Sequence, residues 1–276
     1  GPSIANAGDV NGDGFGDLII GAPSADPGGD SGAGESYVVF GKASGFSSNL
    51  LLSGLDGTTG FRLDGIDAGD GSGSAVSSAG DVNGDGFDDI IIGAYFASPA
   101  GTSSGESYIV FGKSSGFGSS LDLSTLNGTT GFRLDGGAAS DYSGASVSSA
   151  GDINGDGFAD ILIGARYADP GGDSKAGESY VVFGKLAAFS SNLDLSTLDG
   201  TSGFSISGID VNDYSGKSVT GVGDVNGDGF DDIVIGANYA DPGGNSYSGE
   251  SYVVFGKASG FGSNLDLSTL NGSNGF

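Results

Sequence analysis

A nine-residue acidic segment returns four times in this chain at an almost constant step. It reads Asp9-Val10-Asn11-Gly12-Asp13-Gly14-Phe15-Gly16-Asp17, and recurs from Asp81 to Asp89, from Asp152 to Asp160 and from Asp224 to Asp232. Successive copies start 72, 71 and 72 residues apart. Such regularity means one supersecondary unit repeated, each copy burying its apolar face against the next.

The second copy shows what the unit contains. Ala75 to Gly80 is a run of small residues that suits a strand packed in a crowded place. After the acidic loop, Ile90-Ile91-Ile92-Gly93-Ala94 is short, apolar and β-branched, the pattern of a strand buried on both faces. Glu106 to Lys113 reads as a third strand and Gly131 to Gly136 as a fourth, more polar one. No window has helical periodicity with caps. Four antiparallel strands per repeat describe the blade of a β-propeller, so the expected fold is all-β. A single array over 1–276 is expected, with blades at about 3–66, 74–136, 146–208 and 218–276. The last blade stops at Asn274-Gly275-Phe276, short of its outer strand. The chain therefore reads as a piece of a longer array, and Gly1-Pro2 resembles the remnant left when a tag is cleaved, with any native signal lost upstream.

Composition narrows the chemistry. Cys, His, Met and Trp are all absent, which leaves no thiolate or imidazole for zinc, copper or haem and no Ser-His-Asp or Cys-His nucleophile. The formal charge is −26, so nucleic acid and anionic membrane are poor partners. No apolar run reaches the roughly 18 residues that span a bilayer.

The acidic segment is an oxygen-rich loop for a hard cation. Positions 1, 3 and 5 supply side-chain oxygens, position 6 is a glycine where the chain must bend, position 7 offers a carbonyl and position 9 closes the shell. The expected Ca²⁺ ligands are thus Asp9, Asn11, Asp13, Phe15 and Asp17. The later loops supply Asp81, Asn83, Asp85, Phe87 and Asp89, then Asp152, Asn154, Asp156, Phe158 and Asp160, and finally Asp224, Asn226, Asp228, Phe230 and Asp232. Position 12, a bidentate Glu in helix-loop-helix sites, is here Ile20, Ile92, Ile163 or Ile235, so this loop joins two strands instead. A metal-free Asn-Gly or Asp-Gly hairpin is the alternative for any one copy. Four copies of crowded carboxylates, which repel unless a cation is present, favour about four Ca²⁺.

These loops, the apolar strand after each and the Gly21-Ala22-Pro23 that follows the first resemble the FG-GAP repeat of integrin alpha-subunit propellers. Gly-Ala-Pro drifts to Gly93-Ala94-Tyr95, Gly164-Ala165-Arg166 and Gly236-Ala237-Asn238, and the Phe-Gly element survives loosely as Tyr142-Ser143-Gly144 and Tyr214-Ser215-Gly216. The resemblance implies calcium loops on one face of a propeller and adhesion or ligand binding by the opposite face. It also implies a secreted or cell-surface protein. Family propellers commonly have seven blades, which puts closure of four in question.

Several other features carry expectations. Tyr95, Phe96, Tyr142, Tyr167, Tyr214 and Tyr239 fall in or beside loops opposite the acidic ones, where they could hold a sugar or peptide or serve only local packing. Glu35, Glu106, Glu178 and Glu250 recur once per blade, which argues for a structural role over glycosidase chemistry, since catalysis needs one special site. The reading is a non-catalytic, calcium-stabilised module for adhesion, ligand binding or scaffolding, with an unidentified protein or glycan as partner. A lectin-like propeller with one sugar site per blade is the alternative. Two chains joined head to tail as a homodimer would complete an eight-bladed ring, and this is the expected assembly ahead of a closed four-blade monomer.

Overall fold

A computed structural model describes residues 3–114 and 116–276; Gly1-Pro2 lies outside them. Among the described residues there is no α-helix. The first blade contains β1 (Ile4–Gly8), β2 (Asp17–Ala22), β3 (Glu35–Val39) and β4 (Gly60–Asp64). The second repeat contributes β5 (Ala75–Gly80), β6 (Asp89–Ala94), β7 (Glu106–Val110), the short β8 (Ser120–Asp122) and β9 (Gly131–Asp135). The third gives β10 (Ser146–Gly151), β11 (Asp160–Ala165), β12 (Glu178–Val182), β13 (Asn192–Asp194) and β14 (Gly203–Ser207). The fourth gives β15 (Ser218–Gly223), β16 (Asp232–Ala237), β17 (Glu250–Val254) and β18 (Asn264–Asp266). The four sheets are β-propeller blades whose main strands are antiparallel neighbours in chain order.

Each of the first three blades borrows an edge. β8 pairs parallel with β4 of the preceding blade, β13 with β9 and β18 with β14, so the first three sheets have five strands, not four. Phenylalanines anchor these donated strands. Phe117 stacks on Phe61 at 4.5 Å, Phe189 on Phe132 at 4.3 Å and Phe261 on Phe204 at 4.6 Å. The fourth sheet has three strands, with only a bridge from Val254 to Gly275 at its outer edge, in line with the missing outer strand.

The core lies between blades. Ile19, Val38 and Phe61 meet Ile90, Ile92 and Val110; Ile91, Ile109 and Phe132 meet Ile161, Ile163 and Val182; and Leu162, Val181 and Phe204 meet Ile233, Ile235 and Val254. Strands β6 and β11, with a blade on either side, are buried at all six residues, as continuous apolar runs demand. Strand β2 alternates instead, because Leu18 and Ile20 face the side of blade one that no blade covers. Among the described residues no core joins blade four to blade one, so the four blades form an open arc. The small residues of each first strand have a purpose here: β1, β5, β10 and β15 pack beside one another along the inner edge. Close approach also explains Gly93, whose hypothetical Cβ would lie 2.1 Å from the Gly144 carbonyl oxygen.

Candidate functional site: the acidic loops

Each acidic loop closes the β1–β2-type turn of its blade. Position 9 is its buried hub. Asp89 accepts N–H bonds from Val82 at the start of its own loop and from Gly112 beyond β7, both at 2.9 Å. Asp17, Asp160 and Asp232 repeat the pattern with Val10 and Gly41, Ile153 and Gly184, and Val225 and Gly256. Burial pushes the carboxyls of Asp89 and Asp160 up to about 8, and that of Asp17 up to about 6, against the pull of these N–H donors. Charges at positions 5 and 1 raise all three further.

The exposed half of the loop curls around its own side chains. Asp81 accepts from the N–H groups of Asp85 at 3.0 Å and Gly86 at 2.9 Å, Asn83 accepts from Asp85 N–H at 2.9 Å, and Asp85 accepts from Phe87 N–H at 3.0 Å. The same bonds form around Asp9, Asn11, Asp13 and Phe15, around Asp152, Asn154, Asp156 and Phe158, and around Asp224, Asn226, Asp228 and Phe230. In each loop the Asn amide also donates to the position-5 carboxylate, as Asn83 does to Asp85 at 3.0 Å.

As these side chains lie, no three acidic groups among the described residues form a ready-made metal cage. The donor set nonetheless suits a hard cation. It consists only of oxygens, and a carboxylate that accepts one or two N–H bonds keeps further lone pairs. A cation at the loop would compete with the Asn amide for the position-5 carboxylate.

Sequence reasoning missed what positions 7 and 8 do. The Phe ring reaches the neighbouring loop: Phe87 lies on Gly12, Phe158 on Gly84 and Phe230 on Gly155. Position 8 is a clasp where it is Asp. Asp88 accepts the Asp9 N–H at 2.7 Å and Asp231 accepts the Asp152 N–H at 2.8 Å. Backbone bonds complete the seam, with Lys113, Lys185 and Lys257 donating N–H to the carbonyls of Val10, Val82 and Ile153 at 2.9 Å. Phe15, with no loop before it, is 42% exposed.

The repeated glutamates are structural. Glu178 accepts from Tyr180 Oη at 2.7 Å and Glu250 from Tyr252 at 2.5 Å, while Glu35 and Glu106 accept from Tyr37 and Tyr108 and pair with Arg62 and Arg133. At the opposite end of the strands the aromatic residues form one row. Tyr142, Tyr167, Tyr214 and Tyr239 meet edge to face at 4.9, 5.2 and 4.9 Å, and Tyr95, Phe96 and Tyr247 extend the row at its two ends.

Comparison with known proteins agrees with this geometry. The model of the FG-GAP repeat matches residues 1–39, 72–110, 143–182 and 216–254, which hold the first three strands of each blade and the acidic loop between the first two. Integrin alpha-E of Mus musculus is 35% identical over 57% of this chain and 13% of its own length. Integrin alpha-V of Gallus gallus is 32% identical over 66% of the chain and 15% of its own length. A phosphatidylinositol-glycan-specific phospholipase D of Bos taurus is 30% identical over 74% of the chain and 24% of its own length. The chain thus spans a quarter or less of these relatives, and no helix among its described residues is long and apolar enough to cross a membrane. Four matched repeats, one per blade and each with its acidic loop in the same turn, make this chain a member of the FG-GAP repeat family.

Proposed function

We propose that the chain is a calcium-binding propeller module, secreted or on the cell surface, that acts by binding in adhesion or scaffolding and not by catalysis. One observation carries the calcium reading. The same loop occurs four times with a buried Asp at position 9, and among the described residues no Lys or Arg pairs with any of these loop carboxylates. Clustered carboxylates without a counter-cation are costly, and Ca²⁺ takes the oxygen donors these loops offer. Asp9, Asn11, Asp13, the Phe15 carbonyl and Asp17, with their equivalents in the later loops, would hold one ion each. The ion supplies charge neutralisation and stiffens the seam between blades; loops of this kind suit extracellular, millimolar calcium.

Repetition of the acidic and glutamate positions supports binding over catalysis, since no blade stands apart in them. The aromatic row at the far end of the strands is the candidate ligand face, for a protein or a glycan; nucleic acid is disfavoured by the charge of −26. The row also keeps a lectin-like module in view as the second reading. A second copy of the chain is the proposed partner for the uncovered blade faces. Calorimetric titration of calcium into the chelator-treated protein tests the metal: about four sites are expected, and no heat of binding overturns the reading.

A further inference from the structure

The nine cationic side chains divide unevenly. Four are repeat features: Lys42, Lys113, Lys185 and Lys257 each lie over a phenylalanine ring, at 4.7–4.9 Å. Two more, Arg62 and Arg133, are engaged by acids of their own blades. The remaining three, Arg166, Lys175 and Lys217, gather around Tyr167. Arg166 lies over the rings of Tyr167 at 5.1 Å and Tyr95 at 5.7 Å, and Lys175 lies over Tyr167 at 5.5 Å.

Arg166 and Lys217 line one cavity of about 420 Å³ between blades three and four, with Tyr167, Tyr214, Tyr239, Tyr247 and the amides of Asn212 and Asn238. Neither cation has a counter-ion within 4.0 Å among the described residues, although the chain has 35 acidic side chains. Arg166 Nε is buried with no hydrogen-bond partner. Burial and then the charge of Arg166 hold the Lys217 ammonium below its usual range. A buried donor without a partner beside a second uncompensated cation is an arrangement that an anion completes.

The repeat shows that this chemistry is particular to one junction. Where Arg166 stands, the other repeats have Pro23, Tyr95 and Asn238; where Lys217 stands, they have Ser74 and Ala145.

The geometry points to a carboxylate-binding pocket between blades three and four that takes an acidic sugar, its carboxylate on Arg166 and Lys217 and its ring against the tyrosines. The inference rests on reading the aromatic face as the binding face. The planar guanidinium fork matches a carboxylate, tyrosine rings present apolar faces with polar tips, and the two amides suit hydroxyl groups. A net charge of −26 repels densely charged polymers, which favours one carboxylate on a largely neutral ligand.

The test titrates the whole chain, in millimolar calcium, with a tetrasaccharide that bears a single glucuronate among N-acetylglucosamine units and with its neutral all-N-acetylglucosamine counterpart. The acidic sugar is expected to bind at least about tenfold more tightly, and Arg166→Gln or Lys217→Gln to remove about that factor without changing the melting temperature. Tyr239→Ala should weaken both sugars. Equal affinity for the two sugars, full binding by Arg166→Gln, or preference for a glutamate-rich peptide overturns the pocket. The broader reading is separated by adhesion of the chain to an extracellular-matrix coat. Adhesion kept in full by Arg166→Gln sinks the pocket alone, whereas a wild-type chain that adheres to no coat sinks the binding function itself.

Discussion

The ring of Phe87 lies so close over Gly12 that a Cβ at position 12 would come within 2.3 Å of it. The acidic loops are therefore also the seam between blades, each donating a phenylalanine to the glycine of the loop before. Gly84 receives Phe158 in the same way, with its own hypothetical Cβ 2.4 Å from the ring, whereas Gly227 in the last loop has nothing within 4 Å.

Two glycines with nearly equal backbone angles therefore separate strain from packing. Gly84 has φ +74° and Gly227 has φ +79°. In a Phe15→Asp background, where no second chain reaches position 227, Gly227→Ala should cost only the left-handed penalty, about 1 kcal/mol, while Gly84→Ala adds overpacking for a total of about 2–4 kcal/mol. Urea unfolding of both variants at one calcium concentration gives the comparison; equal losses would mean that the seam does not hold the blades.

Calcium should raise the melting temperature. A ligand that binds only the folded state contributes about 2.7 kcal/mol per site at a hundredfold excess over Kd. Scanning calorimetry in EDTA and in millimolar CaCl₂ reads the shift, and coincident transitions would remove the metal from the account.

Neighbouring aspartates in loop two should part company. Asp85→Ala is expected to lower calcium stoichiometry by one, because Asp85 sits at a proposed ligand position. Asp88→Ala should leave stoichiometry alone yet destabilise the chain by about 1–2 kcal/mol, through loss of its bond to the Asp9 N–H. A drop in stoichiometry for both variants would mean that the ligand register is wrong.

The two uncovered ends of the arc are where a second chain would dock. Blade one offers Phe15 and an apolar hollow lined by Leu18, Ile20, Val39 and Leu52; blade four offers the open glycine at 227 and the half-buried Val234 and Val253. Head-to-tail pairing of two chains would satisfy both ends and give eight blades. Light scattering in calcium should show about twice 26.8 kDa, and Phe15→Asp should return a monomer. A monomeric wild type at high concentration would defeat the pairing.

Stability should also respond to pH on the aromatic side. Burial, helped by the charges of Glu178 and Asp169, raises the Asp141 carboxyl to about 6. A carboxyl raised in the fold lends stability that is fully present below its unfolded value, near 3.8, and that is lost as pH rises through about 6. Asp141→Asn should therefore stabilise the chain by about 1 kcal/mol at ~pH 8, allowing for solvent screening, and by almost nothing at ~pH 4. Chemical denaturation at both values decides it; a gain that does not vary with pH would point to packing instead.

The blade strands were legible because burial leaves a mark. Ile90-Ile91-Ile92 and Tyr108-Ile109-Val110 are apolar because a blade covers each side. The acidic loops were legible from their fourfold recurrence, and their place in the turn follows from strand order. The donated strands were not, since Leu121-Asp122 is too short to show a period and its partner, β4, belongs to another repeat. Phe87 and Asp88 read as members of their own loop, because contact across a seam has no signature in sequence. The cationic pocket did leave a signal in the three cations that break the repeat, Arg166, Lys175 and Lys217, but only the fold brings them together.

The donated edge strand has a mechanical consequence. Because β8, β13 and β18 lie parallel on the preceding blade, tension along the chain cannot unwind one repeat without first breaking its grip on the one before. The repeats are joined as overlapping laps, so load entering at one end is shared across each joint by backbone bonds and a stacked phenylalanine pair.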